Sequence, residues 1–168
     1  MTTSEVHWIR EIEPLRLAMM SRPRSGEWLT DDVVGWFDCG LRTVVSLLEP
    51  QEVHEFGLDD ESLLCRAHGL EFISFPIRDR AVPASFRGLA ALVDILVTRL
   101  RRGVIIGLHC RAGIGRSGLV AGCILLKLSV PFPDVFPMLS RARGSPVPDT
   151  RYQAKWVKAF GKTETTAL

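Results

Sequence analysis

A chain of 168 residues with 46% apolar and 24% charged side chains has the make-up of one globular domain, long enough to bury about 70% of its unfolded surface. Its net charge of +2 excludes the strongly basic balance of a nucleic-acid binder and suggests no acidic partner. No apolar run approaches the ~20 residues that cross a bilayer, and the N-terminal MTTSEVHWIREIEP has no apolar signal core, so a cytoplasmic protein without membrane attachment is expected.

Val6 to Pro14 and Leu15 to Met20 read as early strands or an extended entry, and Ser21 to Gly26 as a turn-rich loop. Thr30 or Asp31 is an expected N-cap for a helix carrying Val33, Val34, Trp36 and Phe37, ended by Gly40. Thr43 to Leu48 is β-branched and apolar, hence a buried strand. Pro50 opens a short helix closed by Gly57, and Asp60 to His68 forms another, closed by Gly69. Leu70 to Ile77 is the next strand. Phe86, Leu89, Ala90, Val93, Leu96, Val97 and Leu100 keep i, i+3, i+4 spacing, which predicts a helix ended by Gly103. Val104 to Leu108 is short enough for a buried strand, and helices follow over Ser117 to Leu128, Phe132 to Arg143 and, N-capped by Asp149, up to Phe160. This alternation predicts an α/β domain over residues 1–160, with a mainly parallel sheet flanked by helices, and a short polar tail over 161–168.

Between the Val104–Leu108 strand and the next helix lies His109-Cys110-Arg111-Ala112-Gly113-Ile114-Gly115-Arg116-Ser117-Gly118. A glycine-containing loop between a strand and a helix N-terminus aims main-chain N–H groups and the positive end of a helix dipole at one spot, which suits an anion. The same field lowers a thiol pKa from about 8.5 to as low as ~3.5–7.5. The loop therefore offers a Cys110 thiolate beneath an anion cradle of Arg111, Ala112, Gly113, Ile114, Gly115 and Arg116, the last gripping the anion with its planar fork. That combination points to phosphoryl transfer onto sulfur. Neither a metal nor another cofactor is needed. The four cysteines, 39, 65, 110 and 123, contain no C-x2-C pair, which argues against a zinc site and a disulfide framework.

Cleaving a phosphomonoester also requires a proton for the leaving oxygen. Asp79 is the best candidate acid: it follows a predicted strand in a loop framed by Pro76 and Pro83. The alternative is a surface pair with Arg78 or Arg80. Ser117 either donates its hydroxyl to the cysteine sulfur or simply starts the helix. His109 either orders the loop or is a satisfied buried imidazole. Glu52 either fixes the Arg116 fork or is an exposed helical carboxylate, and Gln153 either orients the hydrolytic water or is a mid-helix polar residue.

The His109–Gly118 stretch resembles the HCxxGxxRS/T loop of the cysteine-dependent protein tyrosine and dual-specificity phosphatases. Residues from about Trp36 to Phe160 are similar to the kinase-associated branch of that group. A VVSLL-like strand, a Pro-Ile-x-Asp acid loop, the cysteine loop and an Arg-Gly-Ser…Gln segment occur there in the same order. The resemblance implies a compact α/β phosphatase fold, an acid at Asp79, and activity on phosphotyrosine, with phosphoserine or phosphothreonine as further targets in a phosphoprotein or phosphopeptide. A phosphoinositide, nucleotide or sugar phosphate is the alternative substrate, and a non-catalytic phospho-binding module the alternative function. Phosphoinositide phosphatases of this superfamily favour loop lysines where this chain has Ala112 and Ile114. Arg78, Arg80 and Arg111 would make the rim basic and favour acidic phosphopeptides.

Overall fold

The computed structural model describes residues 4–166. Five strands, β1 (Val6–Trp8), β2 (Leu17–Met20), β3 (Thr43–Ser46), β4 (Glu71–Ser74) and β5 (Ile106–His109), form one sheet in the order β1-β2-β5-β3-β4. Only β1 runs antiparallel to its neighbour; β2, β5, β3 and β4 are mutually parallel. Helices α1 (Trp28–Asp38), α2 (Pro50–Glu55), α3 (Glu61–Ala67), α4 (Phe86–Arg101), α5 (Gly115–Lys127), α6 (Phe132–Arg143) and α7 (Arg151–Thr166) complete the domain. This is the expected α/β architecture, with the cysteine loop joining the central strand β5 to α5.

Alternation along the strands divides the core in two. Met19, Val45 and Leu108 join Leu89, Val93 and Leu96 of α4 and the inner residues of α5 to α7. Met20 and Val44 face Leu29, Val33 and Trp36 of α1 and Cys65 of α3. α5 lies deep in the first layer: every residue from Gly115 to Leu125 is buried. It packs on α4, α6 and α7, while its N-terminus meets the carboxyl end of β5, where ligands bind in parallel sheets.

Several boundaries differ from expectation. α1 starts at Trp28 with Glu27 at its N-cap, ahead of Thr30 and Asp31, because the left-handed Gly26 (φ +64°) closes a turn whose carbonyl takes the Leu29 N–H. Asp32, one turn into α1, is fully buried and accepts from the Arg24 main chain (2.8 Å) and from its guanidinium (2.6 Å to Nη2). α5 begins two residues before the expected Ser117, placing Arg116 in its first turn. The last helix is capped by Thr150 rather than Asp149: Thr150 Oγ1 accepts the Gln153 N–H and Gln153 Oε1 accepts the Thr150 N–H, a reciprocal capping box. It also runs past Phe160 to Thr166, so most of the polar tail expected over 161–168 is helical. Lys127 holds Glu164 there at 2.6 Å, and Thr163, Thr165 and Thr166 return their hydroxyls to carbonyls of the preceding turn. Residues 167 and 168 lie outside the described residues.

Candidate active site

β5 ends at His109 and the chain turns through Cys110 into α5. Gly113 is required twice over at the loop's crest: its φ is +69°, and a Cβ there would collide with the Met20 carbonyl. The loop is tied to β2 by the Arg22 N–H donating to the Arg111 carbonyl (3.3 Å) and to α6 by Arg143 donating to the Ala112 carbonyl (3.1 Å). None of the main-chain N–H groups of Arg111 to Arg116 donates a hydrogen bond among the described residues. Six donors without a partner thus follow Cys110 in the chain, and Cys110 itself is 3% exposed. Such a nest, at the positive end of an eleven-residue buried stretch of α5, is a cradle for a tetrahedral anion.

Arg116, in the first turn of α5, is 1% exposed and lies near Cys110 and Asp79. Nη1 donates to Glu52 Oε2 at 2.6 Å and to the Ile77 carbonyl at 2.9 Å, and Nη2 donates to Glu52 Oε1 at 2.9 Å. Of the two readings open for Glu52, the ion pair with Arg116 is the one observed. Burial disfavours the Arg116 charge, yet the Glu52 hydrogen bonds, helped by the neighbouring Cys110 and Asp79, keep its pKa above the ordinary arginine value. Burial likewise works to raise the Glu52 pKa. The Arg116 and Glu49 N–H hydrogen bonds and the Arg116 and Arg111 charges outweigh it and hold the carboxyl below its usual range.

Asp79 lies in the loop after β4, 3.2 Å from Arg116 Nη2 and 4.0 Å from Arg111 Nη1. Its partners are thus the loop arginines and not Arg78 or Arg80, both of which are exposed. Ser117 is fully buried in the first turn of α5, and its Oγ makes no hydrogen bond among the described residues, so the structure does not join it to the Cys110 sulfur. Gln153 lies in the first turn of α7 and is not the mid-helix residue of one reading. It is fully buried, and besides capping α7 its Nε2 donates to the Ala81 carbonyl at 3.1 Å, which ties α7 to the Asp79 loop. His109 is fully buried, with Nε2 2.7 Å from Glu61 Oε1 and its ring stacked on Trp36 at a 6.0 Å centroid distance.

Sequence reasoning passed over Glu61, whose position at the start of a short polar helix gives no sign of burial. It also passed over Arg22 and Phe56. The guanidinium carbons of Arg22 and Arg111 stand 4.4 and 5.6 Å from the Phe56 ring, beside the loop. The Thr150-x-x-Gln153 capping box was a readable signal that identifies both the N-cap and the inward-facing glutamine. Of the remaining thiols, Cys65 and Cys123 are buried core residues, and burial, with Glu61 nearby, pushes the Cys65 thiol up to about 12.

A family model described as the DSP-PTPase phosphatase domain of Swiss Army Knife proteins matches residues 6–165. Protein tyrosine phosphatase domain-containing protein 1 of Danio rerio is 29% identical over 164 residues, covering 92% of this chain and 22% of that protein. The protein of the same name in Mus musculus is 30% identical over 129 residues, covering 72% of this chain and 17% of that protein. The chain thus spans about a fifth of the length of these relatives. Kinase associated phosphatase, solved with its catalytic-site cysteine substituted by serine, shares the fold with a TM-score of 0.90 at 21% identity over 99% of both chains. PTPMT1 in complex with PI(5)P does so with a TM-score of 0.74 at 18% identity, over 90% of this chain and 93% of that one.

Proposed function

The chain belongs to the DSP-PTPase phosphatase-domain family, and from that membership we propose that it hydrolyses phosphomonoesters of protein side chains through a phosphocysteine intermediate. Phosphotyrosine is the first target, with phosphoserine and phosphothreonine beside it. The observation that carries this reading is the run of six loop N–H groups without a partner among the described residues, next to the buried Cys110 and Arg116.

In the first step the Cys110 thiolate attacks phosphorus in line while the N–H groups of residues 111–116 and the Arg116 guanidinium hold the three equatorial oxygens. Asp79, within reach of Arg116 at the pocket mouth, gives its proton to the departing oxygen. In the second step the Asp79 carboxylate takes a proton from water, which displaces sulfur and releases phosphate. Glu52 touches no substrate; it fixes the plane of the Arg116 fork. The buried Ser117 hydroxyl has no other partner among the described residues and is free to turn to the sulfur as it leaves. A thiolate nucleophile of this kind suits a reducing, cytoplasmic compartment.

The test is metal-free hydrolysis of an aryl phosphate in EDTA across about pH 4.5–8, since the pH profile reports the essential acid and base. Wild type should turn over, Cys110→Ser should be inactive, and Asp79→Asn should lose the basic limb of the profile. Full activity in Cys110→Ser would refute the mechanism.

A second reading, a multiply charged non-protein phosphoester, is favoured by Arg22 and Arg111 stacked near Phe56 beside the loop. The PTPMT1 fold relative binds PI(5)P. Against it, the loop positions Ala112 and Ile114 carry no charge. Competing a phosphotyrosyl peptide against a phosphoinositide at equal concentration decides between the two.

A further inference from the structure

The parallel register places Met20, His109, Ser46 and Ser74 side by side at the carboxyl ends of β2, β5, β3 and β4. Partners in register share a face, and here it is the face covered by α1 and α3. Cys110, one residue beyond His109, belongs to the opposite layer with α4 and α5. A polar row therefore runs under the sheet, behind the phosphate cradle. Glu61, the first residue of α3, enters this row and is 1% exposed.

A carboxylate taken out of water is costly unless it is paired. The ion-pair contact that Glu61 makes is with His109, whose Nε2 stands 2.7 Å from Oε1; the Cys65 thiol is nearby and Arg66 borders the same cavity. The alignment is too oblique for a directed hydrogen bond, and neither carboxylate oxygen has another partner there. The close approach of Nε2 to a buried carboxylate oxygen orients the imidazole ring. Trp36 holds the ring from its face, and the His109 carbonyl accepts the Leu47 N–H at 2.9 Å. Ring and main chain are thus both held one residue before the nucleophile.

We propose that Glu61 is a positioning residue for catalysis. It anchors His109 from the face of the sheet opposite the Cys110 thiol, and so holds the start of the phosphate loop in its working geometry. The assignment rests on the phosphatase reading above. Glu61 touches neither substrate nor sulfur, and it acts through His109. The surrounding space makes the role testable, because Glu61 lines a cavity of about 370 Å3 whose other polar lining residues are Ser46, Asp59, Ser62, Arg66 and Ser74, large enough to admit a small carboxylate.

The experiment compares Glu61→Ala and Glu61→Gln with wild type in the full chain. It reads kcat and KM on an aryl phosphate, the rate at which iodoacetamide alkylates Cys110 at fixed pH, and Tm, each with and without sodium formate. Glu61→Ala is expected to lower kcat and the alkylation rate about tenfold with KM within about twofold, as displaced catalytic groups do. Formate should restore much of both losses in Glu61→Ala by occupying the vacated space. It should restore neither in Glu61→Gln, where the amide fills that space, and should leave wild type unchanged. Wild-type kcat and alkylation in both variants would overturn the proposal. So would a loss in Glu61→Ala that follows a fall in Tm and ignores formate, since that is the signature of a structural role alone. If wild type hydrolyses no phosphoester while Cys110 alkylation still responds to substitution and to formate, the phosphatase reading fails and the Glu61 control of Cys110 stands.

Discussion

Glu52 meets Arg116 with both carboxylate oxygens, at 2.6 and 2.9 Å, and the same Oε2 accepts the Glu49 N–H at 2.9 Å. The clamp on the phosphate-loop arginine is therefore also part of the capping box that starts α2. Removing it leaves a buried guanidinium with a single carbonyl and Asp79. Glu52→Ala is expected to cost about 3 kcal/mol in urea denaturation, the scale for breaking a buried pair. Its KM for aryl phosphate should rise as Asp79 closes onto the freed arginine.

The same pair sets an acid limit to stability. Burial would raise the Glu52 pKa, but its hydrogen bonds and the arginine charges hold the folded carboxyl below the ordinary value of about 4.3. A depressed folded pKa means the unfolded chain binds the proton more readily. The stabilisation is therefore complete above about pH 4.3 and is lost as pH falls through the lower folded value. Denaturation midpoints measured from neutral pH downward should show this acid-side decline in wild type. In Glu52→Gln the decline should be reduced, from a lower starting stability.

Gln153 joins the first turn of α7 to Ala81, two residues after Asp79. Gln153→Leu removes that tie and the cap partner together, leaving buried polar groups unmatched at about 1–3 kcal/mol each. A lower Tm is expected, with a fall in kcat larger than any change in KM, because the acid is no longer held over the pocket. Steady-state kinetics with aryl phosphates whose phenol leaving groups differ in pKa provide the check. If Asp79 positioning is the cause, the loss grows as the leaving group becomes more basic.

Arg80 has φ +58°, in the left-handed region, where it closes the turn between the Arg78 carbonyl and the Ala81 N–H. A side chain there carries a strain of about 1 kcal/mol that glycine escapes. Arg80→Gly should therefore be more stable than Arg80→Ala by roughly that amount in chemical denaturation.

The elements that carry the site were legible because local signals agreed there. The Val104–Leu108 run, the glycines at 113 and 115 and the apolar helix after them all specify strand, loop and helix without tertiary help. The place after a strand between two prolines singled out Asp79, which the fold brings to 3.2 Å from Arg116. Boundaries slipped where distant residues decided them. α1 starts early because Gly26 and the Arg24–Asp32 contact organise its entry, and α7 runs on because Lys127 waits for Glu164. Glu61 was invisible for a sharper reason. Its burial depends on the strand register that brings His109 beneath α3, which no spacing along a short helix reports. Gln153 was noticed as a polar residue, but its partner lies 72 residues away.

α5 has no residue from Gly115 to Leu125 at the surface. One segment thus serves as the helix behind the anion cradle and as the centre of the hydrophobic layer. A change anywhere in that segment therefore meets the packing of the core as well as the chemistry of the loop. Divergence in what the domain acts upon must then be written elsewhere. The exposed Arg78 and Arg80, the Arg22–Phe56–Arg111 cluster and the lip around Asp79 are free to drift without disturbing α5. New specificities would arise in this lineage as changes of rim around an unchanging floor.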